Sequence, residues 1–398
     1  MPLDSRTQVA IIGAGPAGLL LGQLLHRAGI DTVVLEDCSR AHVEARVRAG
    51  VLEQGSVDLL HAAGVGERLA RQGMVHHGIE LLFDGARHRI DLSGLTGGRA
   101  ITVYGQHEVV RDLVAARLQA GAPLHFEVSG VTLHGIDGLS PSVAYRHAGR
   151  GHVLRCDFIA GCDGSHGVSR AAIPADRLQV FERIWPFAWL GILAEAPPAA
   201  QELIYASHAR GFALFSMRSP EVTRLYLQCR PDEDLSRWDD ARLWRELHTR
   251  LETGDGWRLN EGPILQKGVT PMRSLVVEPM QAGRLFLAGD AAHIVPPTGA
   301  KGMNLAMADV RQLAHALSAW YGDGRDDLLQ SYSAACLRRV WRAEHFSWWM
   351  TSLLHRFDDH TPFMARLQQA ELAWVASSPT AARSLAENYV GLPFEALG

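Results

Sequence analysis

Three glycines and one acidic residue near the start of the chain have the types and spacing that bind a dinucleotide. The stretch GAGPAG (13–18) places Gly13, Gly15 and Gly18 in the pattern G-x-G-x-x-G. Gly13 allows a tight turn, Gly15 lets a pyrophosphate approach the backbone, and Gly18 lets a helix pack closely on a strand. Glu36 can accept hydrogen bonds from both ribose hydroxyls. These residues predict a dinucleotide site.

The elements around this motif make it specific. TQVAII (7–12) predicts a strand, LLLGQLLHRAG (19–29) an apolar helix, and DTVVLE (31–36) a second strand that ends at Glu36. Strand, glycines, helix, strand and terminal acid in this order are typical of a Rossmann-like unit. The acid suits FAD as well as NAD, so the motif alone leaves the dinucleotide open.

Two later stretches point back to the same nucleotide site. FIAGCDG (158–164) ends a predicted strand near Asp163, and LFLAGD (285–290) ends another at Asp290, which can accept a ribityl hydroxyl. The loop GDAAHIVPPTGAKGMN (289–304) then joins RLFLAG (284–289) to the helical pattern of 303–320. A strand-to-helix loop with so few bulky side chains presents backbone N–H groups and a positive helix end to a ligand.

Composition limits the class of protein. The chain has 398 residues, a formal net charge of −4 and 21% charged residues, without a basic run that would favour nucleic acid. Its five cysteines form no C-x-x-C pair, which disfavours a disulfide framework or a metal site and favours a reducing cytoplasm. The apolar stretch 9–25 is interrupted by glycines and a proline, so we interpret it as strand, turn and helix rather than a membrane or export segment.

The ordered nucleotide stretches resemble the flavoprotein aromatic hydroxylases, a family of single-component FAD monooxygenases. The resemblance continues through 46–55, 103–109, 204–218, 346–357 and 386–393. It implies FAD as cofactor, NADH or NADPH as co-substrate, O₂, and hydroxylation of 4-hydroxybenzoate at its 3-position to 3,4-dihydroxybenzoate through a flavin hydroperoxide. An α/β fold is implied, with a Rossmann-like FAD-binding domain, a mostly antiparallel substrate domain and C-terminal helices.

Alternating residues on one strand suggest how an aromatic acid would be held. SMR (216–218) predicts Ser216 and Arg218 on one face of a strand, with Tyr226 on the next strand of a hairpin. The resemblance implies that this set clamps the substrate carboxylate, with Met217 beside it. It also implies a proton relay through Tyr205, Tyr389 and His76, the last of them near solvent. It further implies a substrate contact from the Pro297 carbonyl and a backbone donor near the flavin from Asn304.

The resemblance implies further contacts with the cofactor. Ala17 stands where family members often have a hydroxyl residue, so only its backbone is expected to contribute. Arg224 matches the family residue that governs movement of the flavin between a buried and an exposed position. The implied cofactor residues are Gly13, Gly15, Ala17, Gly18, Glu36, Arg46, Val47, Arg48, Ala49, Gly50, Val51, Gln106, Asp163, Arg224, Asp290, Gly299, Met303 and Asn304.

Nicotinamide preference is expected to depend on Asp37 and His42. NADPH-preferring relatives offer a basic residue and a tyrosine at these places, so the resemblance implies that NADH is accepted at least as well as NADPH. No second dinucleotide fold and no metal site is expected.

The expected domains are discontinuous. Residues 1–73, 99–180 and 269–350 are expected to form the FAD-binding domain, and 74–98 with 181–268 the substrate domain. Residues 351–398 are expected to form a helical interface region, because the Trp- and Leu-rich helices after about 320 favour burial against a second subunit in a homodimer.

Two alternatives stay open at this point. A sister hydroxylase of an aminobenzoate or dihydroxybenzoate would keep the Arg218 clamp. A flavin-binding oxidase or redox-linked regulator without hydroxylase activity is the alternative from another class. The absent cysteine pair excludes a disulfide reductase.

Overall fold

The architecture is that of a computed structural model, which describes residues 3–46 and 50–394. Its nucleotide-binding part is a six-stranded sheet of five parallel strands and one antiparallel edge strand. In spatial order the strands are Gln281–Ala282, Leu285–Leu287, Phe158–Gly161, Val9–Ile12, Thr32–Leu35 and Leu124–His125. The predicted strands before the three nucleotide stretches are therefore neighbours in one sheet, and their carboxyl ends share one edge.

Long helices cover this sheet. Pro16–Arg27 follows the glycine motif directly and packs against both Gln106–Gln119 and Gly302–Asp323. The helix Pro16–Arg27 starts with proline at its first position, where the missing N–H costs nothing. Gly302–Asp323 confirms the helix predicted after the Gly- and Pro-rich loop.

A larger, mostly antiparallel sheet forms the second part of the molecule. Its eight strands in spatial order are His293–Ile294, Ile264–Glu278, Gln179–Ala194, Thr223–Cys229, Ala213–Met217, Ile204–Ala206, Gly78–Phe83 and Ala86–Asp91. Only the pair Ile204–Ala206 with Gly78–Phe83 is parallel among the pairings of this sheet. The stretch 78–92 contributes strands to it, as the sequence predicts.

Two smaller sheets complete the strands. One has the order Leu3–Arg6, Arg150–Arg155, Ser142–His147 and Ser129–His134, and the other has the order Val51–Leu52, Ile101–Val103 and Met74–His76. Short helices connect the sheets, at Arg40–Ala45, Gln54–Ala62, Glu67–Gln72, Leu92–Thr96, Val168–Ala171, Asp240–Arg250 and Asp327–Gln330. Single 3₁₀ turns lie at Ala175–Arg177, Leu235–Arg237, Gly289–Ala291 and Pro297–Gly299.

The C-terminal part is helical, with Tyr332–Leu354, Pro362–Ser377 and Pro379–Tyr389. Much of its apolar surface packs inside the chain itself. Met350, Leu354 and Leu385 are buried in the same core as the large sheet. Large apolar side chains that stay exposed on these helices include Phe363 and Trp374. Burial against a second subunit is therefore expected for these side chains and not for the helices as a whole.

Candidate active site

The glycine motif forms a backbone cradle at the edge of the parallel sheet. Gly13 has a φ of +101°, which is the left-handed region, and a Cβ there would collide with the carbonyl of Cys162. A Cβ on Gly18 would collide with the Gly13 carbonyl. Gly15 has open space where its Cβ would be, so its backbone is approachable from outside. Ala17 is buried on the first turn of the helix and contributes no polar side-chain atom.

Glu36 lies at the end of the second strand and is nearly buried. Its carboxylate accepts hydrogen bonds from the backbone N–H of Ala14 at 2.6 Å and of Cys38 at 3.0 Å. Burial raises the pKa of Glu36, and the two backbone donors oppose this shift. The carboxylate is therefore fixed beside the glycine turn. Asp37 and His42 are exposed close by, and a hydrogen bond with Glu36 lowers the pKa of Asp37.

The two later nucleotide stretches reach the same sheet edge. Asp163 accepts hydrogen bonds from the backbone N–H and the hydroxyl of Ser169, each at 2.9 Å, so one of its oxygens holds the short helix Val168–Ala171. Its other oxygen, Oδ1, is buried without a hydrogen-bond partner. Asp290 lies in the turn Gly289–Ala291 directly after the strand Leu285–Leu287.

The loop after this strand, which we call the flavin loop (289–304), is held by a residue of the following helix. The Asp309 carboxylate accepts the backbone N–H of Gly289 at 3.0 Å and lies 2.6 Å from His293 Nε2. Both side chains are buried. Burial alone would lower the pKa of His293, but Asp309 outweighs it, so the pKa is raised. One carboxylate oxygen thus fixes two points of the loop.

A second buried ion pair holds the other end of the flavin loop. Lys301 Nζ donates to Glu53 at 2.6 Å and also to the backbone carbonyl of Tyr389 at 3.1 Å. Asn304 accepts the backbone N–H of Glu53 at 2.9 Å and donates to the carbonyl of Val51 at 3.0 Å. The Asn304 side chain therefore ties the helix start to the strand Val51–Leu52. A contact from Asn304 to a ligand would therefore come from its backbone N–H.

Several other predicted cofactor residues surround the loop. Gly50 is packed so closely against the Tyr104 carbonyl that no Cβ would fit. Arg46 is exposed just after the helix Arg40–Ala45, Gln106 begins a helix, and Met303 lies in the first turn of the helix after the loop. Gly299 ends a 3₁₀ turn against Ser347. Val47, Arg48 and Ala49 lie outside the described residues.

Two tyrosines meet in the interior of the large sheet. The hydroxyls of Tyr205, on the strand Ile204–Ala206, and Tyr389, at the end of a C-terminal helix, are 2.5 Å apart. Both rings are almost fully buried, and burial raises the pKa of each phenol. Both tyrosines are therefore neutral at pH 7 and can pass a proton only by donating one as they accept another.

The expectation that His76 lies near solvent is wrong. Side chains alternate along the strand Met74–His76, so His76 points inward while Val75 and His77 are exposed. Burial lowers the pKa of His76 to about 4, and its Nδ1 has no hydrogen-bond partner in the part of the chain that the structure describes. The side chain is a neutral, buried imidazole, and His77 is the neighbour that contacts water.

Two arginines and one tyrosine form a cationic group on the hairpin predicted from the sequence. Arg218 Nη2 donates to the Tyr226 hydroxyl at 3.4 Å, and the Arg224 guanidinium lies 5.1 Å from the Tyr226 ring centre. Within the described ranges neither arginine forms an ion pair with a carboxylate, and the Nε of each is buried without a hydrogen bond. Burial would raise the pKa of Tyr226, but the two guanidiniums outweigh it and lower the pKa. The group is electrostatically suited to an anion.

The other predicted substrate residues are already engaged. Ser216 donates its hydroxyl to the carbonyl of Arg224 at 2.8 Å, so it would have to turn before it could donate to a ligand. Met217 is buried and ends the strand, and Arg218 lies just beyond it, with Nη1 donating to the Met217 carbonyl at 2.8 Å. The Pro297 carbonyl accepts the N–H of Ala300 at 2.9 Å and closes a 3₁₀ turn.

Comparison with known proteins identifies the family. A family model described as "FAD binding domain" matches residues 6–347. The chain is 51% identical over 390 residues to p-hydroxybenzoate hydroxylase of Acinetobacter baylyi, covering 98% of this chain and 96% of that protein. The chain belongs to the FAD-dependent aromatic hydroxylases.

More distant proteins resemble the chain in sequence or in fold. A 3-(3-hydroxy-phenyl)propionate/3-hydroxycinnamic acid hydroxylase of Mycobacterium sp. is 27% identical over 341 residues, covering 83% of this chain and 57% of that protein. The crystal structure of p-nitrophenol 4-monooxygenase from Pseudomonas putida superposes with a TM-score of 0.81 at 18% identity, covering 98% of this chain and all of that one. The expected fold class is confirmed. Within the described ranges, none of the helices has both the length and the apolar character needed to span a membrane.

The residues present fit the FAD of this family. Gly15 leaves an open approach to backbone at a helix start, and Asp163 keeps a buried oxygen without a partner on the same sheet edge. The flavin loop adds further backbone N–H groups, and its two ion pairs fix its shape. The family is an FAD-binding one, and this edge offers the backbone groups and the acceptor oxygen that such a dinucleotide needs.

The sequence predictions missed the side chains that hold this hydroxylase site together. The sequence patterns do not predict roles for Asp309, His293, Lys301 and Glu53, although the first three lie in the flavin loop or on the helix that follows it. Asp309 lies on the helix that directly follows the flavin loop, so a contact with that loop could have been expected from its position in the sequence. Nothing in the sequence pairs Glu53 with Lys301, because 248 positions separate them.

Proposed function

We propose that this chain hydroxylates 4-hydroxybenzoate at its 3-position, with FAD as cofactor, O₂ as oxygen donor and NADH or NADPH as reductant. The observation that carries the proposal is the Arg218–Tyr226–Arg224 group, together with a buried tyrosine pair. Its two guanidiniums are half-buried, each with a buried Nε, and among the described residues neither is paired with a carboxylate. An aromatic acid with a para-hydroxyl supplies the missing anion at one end and a hydrogen-bonding phenol at the other. The name of the 51% identical relative supports the same substrate.

The carboxylate would be oriented by Arg218. A guanidinium can give two parallel hydrogen bonds to a carboxylate, and such charge-assisted bonds are short and strong. Its Nη2 already points at the Tyr226 hydroxyl, which can donate to the same anion. The lowered pKa of Tyr226 makes this hydroxyl a better donor. Burial strengthens the pairing because water does not screen it.

The phenol would be activated through the tyrosine pair. An ordinary phenol titrates near ~10, and its anion is far more electron-rich at the carbon beside the oxygen. We infer that the Tyr205 oxygen accepts the substrate proton while Tyr205 passes its own proton to the Tyr389 oxygen 2.5 Å away. From Tyr389 the proton would leave toward His76 and the exposed His77. Bound FAD supplies the two electrons taken from the nicotinamide and the activation of O₂.

Arg224 would influence where the flavin ring lies. Its guanidinium lies over the Tyr226 ring, and among the described residues its Nε is buried without a hydrogen bond, so its charge lies next to the clamp. We propose that it helps hold the ring inside when the substrate is bound. The described residues form one Rossmann-like unit, so a nicotinamide would have to reach the flavin without a second dinucleotide fold.

We also propose a homodimer through the helix Pro362–Ser377. Phe363, Leu367 and Trp374 are 69%, 50% and 55% exposed, which is unusual for side chains of this size on one helix. Sedimentation of the wild type and of Trp374→Asp would test this, with a dimer expected for the first and a shift toward monomer for the second. The predicted location in the cytoplasm stays a prediction.

The experiment that tests the proposed reaction is a substrate panel. The purified, FAD-loaded protein is incubated with NADH or NADPH and with benzoates that carry hydroxyl, amino or no group at the para position. We expect 3,4-dihydroxybenzoate from 4-hydroxybenzoate in proportion to nicotinamide oxidised. Faster hydroxylation of 4-aminobenzoate or of a dihydroxybenzoate would favour the sister hydroxylase.

A further inference from the structure

A cleft of about 330 Å³ lies between the helix Tyr332–Leu354 and the paired strands Gln179–Ala194 and Ile264–Glu278. Three aromatic rings line it, those of Phe181, Trp341 and Trp348, and they are 37%, 39% and 40% exposed. Phe181 and Trp341 meet edge to face with ring centres 5.3 Å apart. The volume suits one small ring system with substituents. We call this site the aromatic cleft.

An acidic side chain lines the aromatic cleft among these rings. Glu344 is only 8% exposed, and its Oε2 is buried with no hydrogen-bond partner among residues 3–46 and 50–394. Burial raises the pKa of Glu344 to about 7, while a hydrogen bond with Ser274 and the charge of His293 oppose the shift. A buried carboxyl with a free oxygen is costly unless a ligand donates to it.

The other charged groups around the aromatic cleft contact protein side chains, either as ion pairs and hydrogen bonds or through aromatic rings. His345 lies beside Trp348, with ring centres 5.8 Å apart. The remaining pairs are Glu182 with Arg273 at 2.9 Å, Glu278 with the Trp341 indole at 2.5 Å, and Arg183 at 4.5 Å over the Trp185 ring. Glu344 is thus the acid left without a full set of partners at this site.

We propose that the aromatic cleft binds a small organic ammonium ion, with its nitrogen paired to Glu344 and its apolar body between Phe181, Trp341 and Trp348. Aromatic faces attract cations, and a set of rings with an acid is the arrangement that binds ammonium groups. An anionic aromatic acid would be repelled here by Glu344, so the aromatic cleft and the Arg218 clamp select opposite charges.

The binding test uses benzylamine and the FAD-loaded protein in isothermal titration calorimetry. Benzylamine stays cationic between pH 6 and pH 8, whereas the fraction of ionised Glu344 rises about tenfold over this range for a pKa of about 7. We expect the apparent Kd to fall by roughly tenfold from pH 6 to pH 8, because only the ionised form pairs with the ligand. Near one proton should be released per ligand bound at pH 6, and nearly none at pH 8.

Matched controls separate the pair from general apolar binding. Benzyl alcohol and benzoate should bind at least tenfold more weakly than benzylamine at pH 8. Glu344→Gln keeps the shape of the side chain and should abolish both the affinity and its pH dependence, and Trp348→Ala should weaken binding several-fold. Equal affinity in Glu344→Gln, or equal binding of benzyl alcohol, would overturn the proposal, as would no heat with benzylamine at millimolar concentration.

Two further measurements locate the site. Saturation with 4-hydroxybenzoate and the variant Arg218→Ala should both leave benzylamine binding unchanged, so competition would place the amine in the substrate site instead. Trp348→Asp should not change the sedimentation of the protein. If it converts a dimer to a monomer, a second copy covers the aromatic cleft and the ligand proposal is wrong.

Discussion

Replacing Arg218 with alanine removes the cation that is expected to orient the substrate carboxylate. Among the described residues its guanidinium donates hydrogen bonds to the Met217 carbonyl and the Tyr226 hydroxyl, and its Nε is buried without a hydrogen bond. Among the described residues no acidic side chain competes for it. The arginine is therefore free to give two charge-assisted hydrogen bonds to a ligand.

The size of the effect follows from those two bonds. Each is worth about 1.5–3 kcal/mol net, and water that enters the truncated site recovers part of the loss. Taking about 3 kcal/mol for the pair, the Kd for 4-hydroxybenzoate should rise roughly 150-fold. Arg218→Lys keeps the charge without the planar fork, so an intermediate loss is expected.

The assay is an equilibrium titration followed by flavin absorbance, with 4-hydroxybenzamide as the matched uncharged ligand. Wild type should prefer the acid strongly, whereas Arg218→Ala should bind the acid and the amide with similar affinity. FAD content and Tm of the variant serve as checks on folding. The clamp assignment is refuted if the variant binds the acid as wild type does, or if acid and amide lose affinity equally.

Three further outcomes are expected. Tyr205→Phe breaks the 2.5 Å contact with Tyr389, so nicotinamide should still be oxidised while hydrogen peroxide replaces much of the hydroxylated product. If the variant still forms one hydroxylated product for each nicotinamide oxidised, Tyr205 does not belong to the proton path. The ionised, exposed Asp37 should disfavour the 2′-phosphate of NADPH by roughly 1 kcal/mol, so NADH should be used at least as well as NADPH. Asp37→Arg should shift kcat/KM toward NADPH. A more than tenfold preference of the wild type for NADPH would contradict this prediction. Asp309 raises the pKa of His293, so the pair stabilises the fold fully below the ordinary histidine pKa of about 6.5. This stability is lost as pH rises through the raised value. Asp309→Asn should therefore lower Tm most at pH 6 and progressively less as the pH is raised, and a loss of Tm that does not shrink with rising pH would contradict this linkage.

The fold was predictable because its signals are local. Gly13, Gly15 and Gly18 have the spacing of a strand–helix turn, and the structure confirms a strand on each side of the helix Pro16–Arg27. The hairpin that carries Arg218 and Tyr226 could likewise be placed from alternation alone. Periodicity and turn chemistry act over a few residues, which a single sequence displays.

The packing of the site was less predictable because it depends on long-range partners. His76 was expected near solvent, but the strand alternation that buries it also exposes Val75 and His77, and two adjacent histidines give no sign of which faces inward. The Lys301–Glu53 pair and the Asp309 contacts join positions far apart in sequence. Ser216 was expected to face a ligand, yet its hydroxyl binds a carbonyl of the neighbouring strand.

The most direct test of the proposed reaction measures where the oxygen goes. The FAD-loaded protein is given 4-hydroxybenzoate, a nicotinamide donor and ¹⁸O₂, and the product is analysed by mass spectrometry. We predict 3,4-dihydroxybenzoate with one ¹⁸O atom, formed in near one-to-one proportion to nicotinamide oxidised. Nicotinamide oxidation that yields only hydrogen peroxide, with 4-hydroxybenzoate recovered unchanged, would contradict the account.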